Sequence, residues 1–317
     1  MIQDLVGKPV YVIPYLENLN LSEEDGLGVE RRLNKEFKLE PREIKTSRGD
    51  NNDGGDYTKI IVVVIAYPHI AIADDIRPVE ADSRFLVEWR REKIPLPYPH
   101  TSTVILPGSR LTRSDLHWLT QETKWGDFLR EHLRAGGNIL GICGGYQMLG
   151  MAVEDLQGFE GKPGITNGLK LLPIHTVMGS PNCKLVRPRC ATLIVSEPLK
   201  QGIAVQGFEL HCGRSSVMDG NGFVSVENPS PLLIFENGEK EGQSTSFVKG
   251  TYLHGVLQSA KAREYLLVPT QKLSEFQMNT SKWHVIENID PLDRLADHLQ
   301  QCGLSVNVLT SILQLNK

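Results

Sequence analysis

The sequence is short of several features that would fix a compartment or a partner class. Its 317 residues include five cysteines, at positions 143, 183, 190, 212 and 302, with no Cys-x-x-Cys pair. An odd, scattered set argues against a disulfide framework and a structural zinc site, and it suits a reducing compartment, the cytoplasm. No bound metal is expected. Positive charge is not in excess: 34 basic against 38 acidic residues leave a net charge of −4. That gives no electrostatic footprint for nucleic acid and no polybasic patch for a membrane. No apolar stretch reaches the ~18 residues of a membrane span. The start, Met1-Ile2-Gln3-Asp4-Leu5, lacks the charged-then-apolar pattern of a signal peptide. Gly-x-x-x-x-Gly-Lys-Ser/Thr, the loop that cradles nucleotide phosphates, is missing too. Internal repeats and low-complexity tracts are absent. What remains is an ordinary globular mix, 40% hydrophobic and 23% charged, long enough to bury a full core.

Residues 1–47 carry one strand-like run, Pro9-Val10-Tyr11-Val12-Ile13-Pro14, and then a charged segment, too little apolar surface to fold alone. Residues 48–57, rich in Gly, Asp and Asn, read as a linker. A domain over 58–266 opens with Ile60-Ile61-Val62-Val63-Val64-Ile65, a β-branched run of the kind buried on both faces of a parallel sheet. Thr103-Val104-Ile105-Leu106 is a second such strand, ending in Pro107-Gly108-Ser109. Trp125, Phe128, Leu129, His132 and Leu133 have helical spacing and stop at Gly136-Gly137. Alternating strands and helices predict an α/β domain, with a mostly parallel central sheet and helices on both faces. From about residue 165, short strand-like pieces at 170–176, 190–196, 206–211, 223–226, 232–235 and 246–253 either extend that sheet or form an antiparallel flap. Residues 267–317 are expected to be a helical extension. Asp290-Pro291 caps a helix that stops at Gly303, and Leu309, Ile312 and Leu313 suggest one more.

The most informative stretch is Asn138-Ile139-Leu140-Gly141-Ile142-Cys143-Gly144-Gly145-Tyr146-Gln147. It reads as a strand, a sharp turn and a helix, with a thiol at the bend. A lone cysteine is commonly a small core residue. Small residues on both sides, however, let the backbone take the strained turn that exposes a nucleophile at the end of a sheet. A helix starting just after it aims its positive end at the sulfur. A cysteine nucleophile needs a base and an oxyanion hole. His254, in Tyr252-Leu253-His254-Gly255, stands at a strand end where a loop can present an imidazole. Gly108, after a neighbouring strand, and Gly144, after the cysteine, are the candidate oxyanion donors.

Gly-x-Cys-x-Gly-x-Gln after a strand, with a later His-Gly, resembles the class I, triad-type glutamine amidotransferases. The segments Pro107–Thr112, Gly141–Gly150, Phe208–Ser215 and Gly250–Gly255 narrow that resemblance to cobyric acid synthase, of the cobalamin pathway. Residues 7–16 and 21–25 resemble the end of that family's synthetase domain, so that 1–47 reads as its remnant. Asp293–Leu299 resembles its C-terminal helix.

The resemblance implies that Cys143 attacks the carboxamide of L-glutamine, that His254 shuttles the proton, and that Gly108 and Gly144 hold the oxyanion. By the same analogy Gln147, His211 and Arg214 bind substrate, with contact at the partner interface as the alternative for His211 and Arg214. The ammonia would pass to an ATP-dependent synthetase domain or subunit that amidates corrin carboxylates, and ATP and Mg²⁺ belong there rather than to this chain. Without a phosphate-binding loop, the chain is expected to be a fragment, half of a split enzyme, or a remnant. Many class I enzymes orient the histidine with a glutamate two residues later; here that position is Val256, as in cobyric acid synthases. Glu209 is the candidate in its place, with a backbone carbonyl as the alternative. Tyr67–Asp75 matches the family's first loop only loosely. Two other readings stay open: a non-catalytic scaffold or regulatory module of this fold, and a glutaminase serving a different acceptor, such as a peptidoglycan precursor.

Overall fold

The computed structural model describes residues 13, 14, 29, 30, 32, 33, 59–92, 102–195, 202–218, 229–269, 291–308 and 310. Contacts divide the chain into two units, Glu24–Val285 and a pairing of Met1–Glu23 with Ile286–Lys317.

The larger unit is built on a six-stranded sheet in the order β15-β16-β6-β4-β1-β3. These are β1 (Ile60–Ile65), β3 (Phe85–Arg90), β4 (Ser102–Leu106), β6 (Asn138–Ile142), β15 (Gln243–Ser244) and β16 (Val248–Thr251). All neighbours pair in parallel except β15, which is antiparallel on β16. The apolar runs of β1, β4 and β6 are wholly buried, as strands covered on both faces must be. A four-residue helix α1 (Arg77–Glu80) precedes β3. Helix α2 (Thr112–His117) follows β4, and α3 (Trp125–Arg134) leads into β6. Helix α4 (Gly144–Met148) leaves β6 at the cysteine turn, and α5 (Ala260–Leu267) follows the last strand. Helix α3 buries Trp125, Phe128, Leu129 and His132. Their spacing is the helical one read from the sequence, and Gly136 closes the turn beyond it at φ 86°.

The strand pieces beyond residue 165 divide among three sheets. β16 joins the parallel sheet beside β6. β10 (Leu185–Leu193), β11 (Ile203–His211), β13 (Leu233–Phe235), β14 (Lys240–Glu241) and β17 (Leu253–His254) form a separate antiparallel sheet in the order β14-β13-β10-β11-β17. A third sheet, in the order β12-β9-β7-β8, holds β7 (Ala152–Asp155), β8 (Gly164–Asn167), β9 (Ile174–Val177) and β12 (Arg214–Val217). A short ribbon pairs β2 (Ile70–Ala71) with β5 (Gly108–Ser109). The expected strand at 223–226 and the linker at 48–57 lie outside the described residues.

From the N-terminal segment, Val29 and Leu33 pack against the core of this unit, and Arg32 bonds to Glu80 at 3.0 Å. In the smaller unit, α6 (Pro291–Gln301) is the helix expected before Gly303, and the His298 ring lies 2.8 Å from the Pro14 carbonyl. Its expected cap, Asp290, lies outside the described residues, as do Leu309, Ile312 and Leu313. No described helix is long and apolar enough to cross a membrane.

Candidate active site

Cys143 sits between β6 and α4 with φ 52° and ψ −108°, a conformation rare for a residue with a side chain. Close backbone approach explains the small residues around it. A Cβ on Gly145 would lie 1.9 Å from the Leu106 carbonyl oxygen, and one on Gly144 only 2.7 Å from the Ser109 amide nitrogen. The Cys143 amide donates to the Thr251 carbonyl at 2.8 Å, and the Gly145 amide to the Pro107 carbonyl at 3.0 Å. Those bonds tie the bend to β16 on one side and to the end of β4 on the other. The thiol is largely buried and donates to the Leu210 carbonyl at 3.3 Å.

His254 ends β17 and is completely buried. Its Nδ1 lies 2.7 Å from Asp75 Oδ2, and the other Asp75 oxygen accepts the Gly255 amide at 2.8 Å. Donation from Nδ1 leaves Nε2 as the nitrogen able to take a proton, and Nε2 has no hydrogen-bond partner among the described residues. Phe208 stacks on the ring, centroids 5.1 Å apart. Burial alone would lower the pKa of the imidazole. The bond to Asp75 and the neighbouring Cys143 outweigh burial and lift it to about 10. The Cys143 thiol itself hydrogen bonds to the Leu210 carbonyl.

Asp75 is the residue that sequence reasoning missed, and its position corrects the assignment of Glu209. Glu209 is paired in register with Leu253, next to His254, but its carboxylate bonds His211, Arg187 and Arg189 at 2.8–2.9 Å. Partial burial would raise its pKa; those three bonds hold it down at about 2. Neither it nor a backbone carbonyl orients His254. The signal for Asp75 lay in the Tyr67–Asp75 segment, whose acids are indistinguishable by composition from solvent-facing ones.

The remaining candidates divide. Gly108 reaches the site: a Cβ there would lie 3.5 Å from His254 Cε1. Gly144, next to the thiol in sequence, lies against Ser109, the residue after Gly108. Gln147 lies one turn beyond Cys143, its amide engaged by Thr112 at one end and the Tyr252 hydroxyl at the other, each at 3.0 Å. The Tyr252 hydroxyl continues to Ser215 and that to Thr176, both at 2.7 Å. His211 stacks on Tyr252 at 4.0 Å, beside this chain of bonds. Arg214 is exposed, and strand alternation turns it away from Ser215, so it stands apart from this network. Among the described residues, no group of three or more His, Cys, Asp or Glu could hold a metal ion.

The profile of the CobB/CobQ-like glutamine amidotransferase domain matches residues 61–262. Cobyric acid synthase from Vibrio parahaemolyticus is 32% identical over 303 residues, covering 95% of this chain and 54% of that protein. The Chlorobium phaeobacteroides protein of the same name is 34% identical over 276 residues, or 84% and 48% respectively. The chain therefore spans about half the length of the curated relatives it matches. Among solved structures, PurLQS from Thermotoga maritima aligns at 15% identity with a TM-score of 0.47, over 71% of this chain and 100% of that one. That likeness is too loose to bear on the site.

Proposed function

The chain belongs to the CobB/CobQ-like glutamine amidotransferase domain family, and from that premise we propose that it releases ammonia from L-glutamine through a thioester on Cys143. His254, with its ring lifted to about 10, holds at Nε2 the proton that Cys143 gives up, so that sulfur attacks as the thiolate, while Asp75 holds the ring by Nδ1, the division of labour of a nucleophile, base and orienting acid. Sulfur attacks the side-chain carbonyl carbon, and the oxyanion forms against Gly108 and Gly144. His254 returns the proton to the leaving nitrogen, ammonia departs, and a glutamyl thioester remains. A water molecule, deprotonated by His254, then releases glutamate. The observation that carries this reading is the strained Cys143 set beside a histidine clamped by a buried carboxylate. Gln147 and His211 are the proposed glutamine-contacting residues, and Arg214, exposed on β12, is the proposed glutamine or interface contact.

The acceptor reading rests on the relatives. Because they are cobyric acid synthases and the chain covers about half of each, we assign the ammonia to an ATP-dependent synthetase domain or subunit. That partner would carry ATP and Mg²⁺ and amidate corrin carboxylates, with the cytoplasm as the expected compartment.

The test is glutamate release by the purified chain, alone and mixed with the separately produced N-terminal half of a cobyric acid synthase. Wild type should release glutamate, faster with the partner, and Cys143→Ser should not. Equal rates in both proteins with the partner present would overturn the proposal.

A further inference from the structure

Bonded to Ser109, the residue packed against Gly144, lies a buried carboxylate that the mechanism above leaves unused. Asp115, on α2, is completely buried. Its Oδ2 accepts from the Ser109 hydroxyl at 2.6 Å, and its Oδ1 accepts the His69 amide at 3.1 Å and lies 2.8 Å from His69 Nδ1. The Ser109 hydroxyl in turn accepts the Leu111 amide at 3.1 Å. One carboxylate therefore holds both strands of the β2–β5 ribbon, in which Ala71 stands opposite Gly108 and Ile70 opposite Ser109. The ribbon has only two residues in each strand, and so short a pairing is not stable by itself. Its companion supports are the Arg110 amide, which donates to the His69 carbonyl at 2.9 Å, and the Tyr67 hydroxyl, which donates to the Pro107 carbonyl.

The ribbon delivers Gly108 to His254 and Ser109 to Gly144. An oxyanion donor loses most of its effect when displaced by a fraction of an ångström or turned off axis. Burying a carboxylate is costly unless it is fully bonded, and a helix packing against α4 and β8 does not call for one. Here its bonds run to Ser109 in the ribbon and to His69, the residue that leads into it. We propose that Asp115 is a positioning residue for the oxyanion hole, acting through Ser109 and His69 to fix the Gly108–Ser109 strand against the Cys143 turn. This rests on the glutaminase reading above.

The experiment uses the full chain as wild type, Asp115→Asn and Ser109→Ala. Three quantities are compared: kcat and KM for glutamine, affinity for an aldehyde analogue of glutamine, and the rate of Cys143 alkylation by iodoacetamide. In the aldehyde adduct, sulfur bonds the carbonyl carbon, the C=O π bond opens, and the thiol proton passes to the oxygen, which occupies the oxyanion hole. Alkylation needs an accessible sulfur that can lose its proton and no oxyanion donor. Losing a single oxyanion donor typically lowers kcat by ~10²–10³-fold, so a displaced one should lower kcat and aldehyde affinity by ~10–100-fold in Asp115→Asn. KM and alkylation should stay within about twofold of wild type, since ground-state binding and thiol access are untouched. Ser109→Ala loses the hydroxyl's two bonds, to Asp115 and from the Leu111 amide, and keeps the fold, so it decides the matter if Asp115→Asn does not fold; about a fivefold loss of aldehyde affinity is expected. Unchanged aldehyde affinity in a folded variant overturns the inference, and so does a parallel loss of alkylation. A wild-type chain that is alkylated but forms no aldehyde adduct and releases no glutamate would instead defeat the glutaminase reading, and this inference with it.

Discussion

Asp75 accepts from the His254 ring and from the next backbone amide, so it fixes both the tautomer and the position of the base. Replacing it with Asn keeps the shape but weakens control of the tautomer. Asp75→Asn should reduce glutamine hydrolysis by ~10²–10⁴-fold while leaving KM nearly unchanged, measured by glutamate release. The same pair makes a pH prediction. His254 is lifted from 6.5 to about 10. A raised histidine contributes stability that is fully present below its unfolded pKa and lost as pH rises through the folded one. Thermal melts should therefore show wild type more stable than Asp75→Asn below pH 6.5, with the gap closing by about pH 10. Cys143 and His254 were legible because each announces itself locally, by glycines beside a thiol and by a histidine at a strand end. Asp75 was not, because it lies 179 positions from His254 and only the fold joins them. Which face Arg214 takes was not legible for the opposite reason: a motif gives order along the chain, whereas the pleat decides which face a side chain takes.

The elements meet at two points where chemistry and packing conflict, and both can be probed. β16 is buried throughout, yet it carries Lys249, whose ammonium lies 5.4 Å from the centre of the Tyr265 ring. Burial pushes this lysine down to about 8, so keeping it charged below that pH opposes folding. That penalty fades as pH rises toward 10.5, where the unfolded chain loses the same proton. Lys249→Met should stabilise the domain by ~1–3 kcal/mol at pH 7, since a buried charge gives way to an apolar side chain of similar length. Urea unfolding should show the gain shrinking at pH 10. At the second point, β4 and α4 approach backbone to backbone. A methyl group on Gly145 would meet the Leu106 carbonyl at 1.9 Å, and neither side is a flexible side chain that can yield. Gly145→Ala should cost about 3 kcal/mol or more, seen as a lowered thermal midpoint. Strands were readable from apolar runs and alternation, but their partners were not. Nothing in the sequence of β16 distinguished a place in the parallel sheet from one beside β11, because pairing is settled by what each strand's neighbours bury.

Across the whole molecule, the larger unit holds the thiol, its base, the orienting acid and the oxyanion ribbon. Three of these are reached through the single segment Tyr67–Asp75, which bonds Pro107, Asp115 and His254. The chain is about half as long as its cobyric acid synthase relatives. The central claim is the covalent intermediate, and it can be seen directly. The chain is mixed with glutamine in the presence of a synthetase half, quenched with acid during turnover, digested and analysed by mass spectrometry. The account predicts a glutamyl group on the peptide containing Cys143 in wild type and none in Cys143→Ser. Ammonia release that continues with the adduct on another residue, or undiminished in Cys143→Ser, would contradict it.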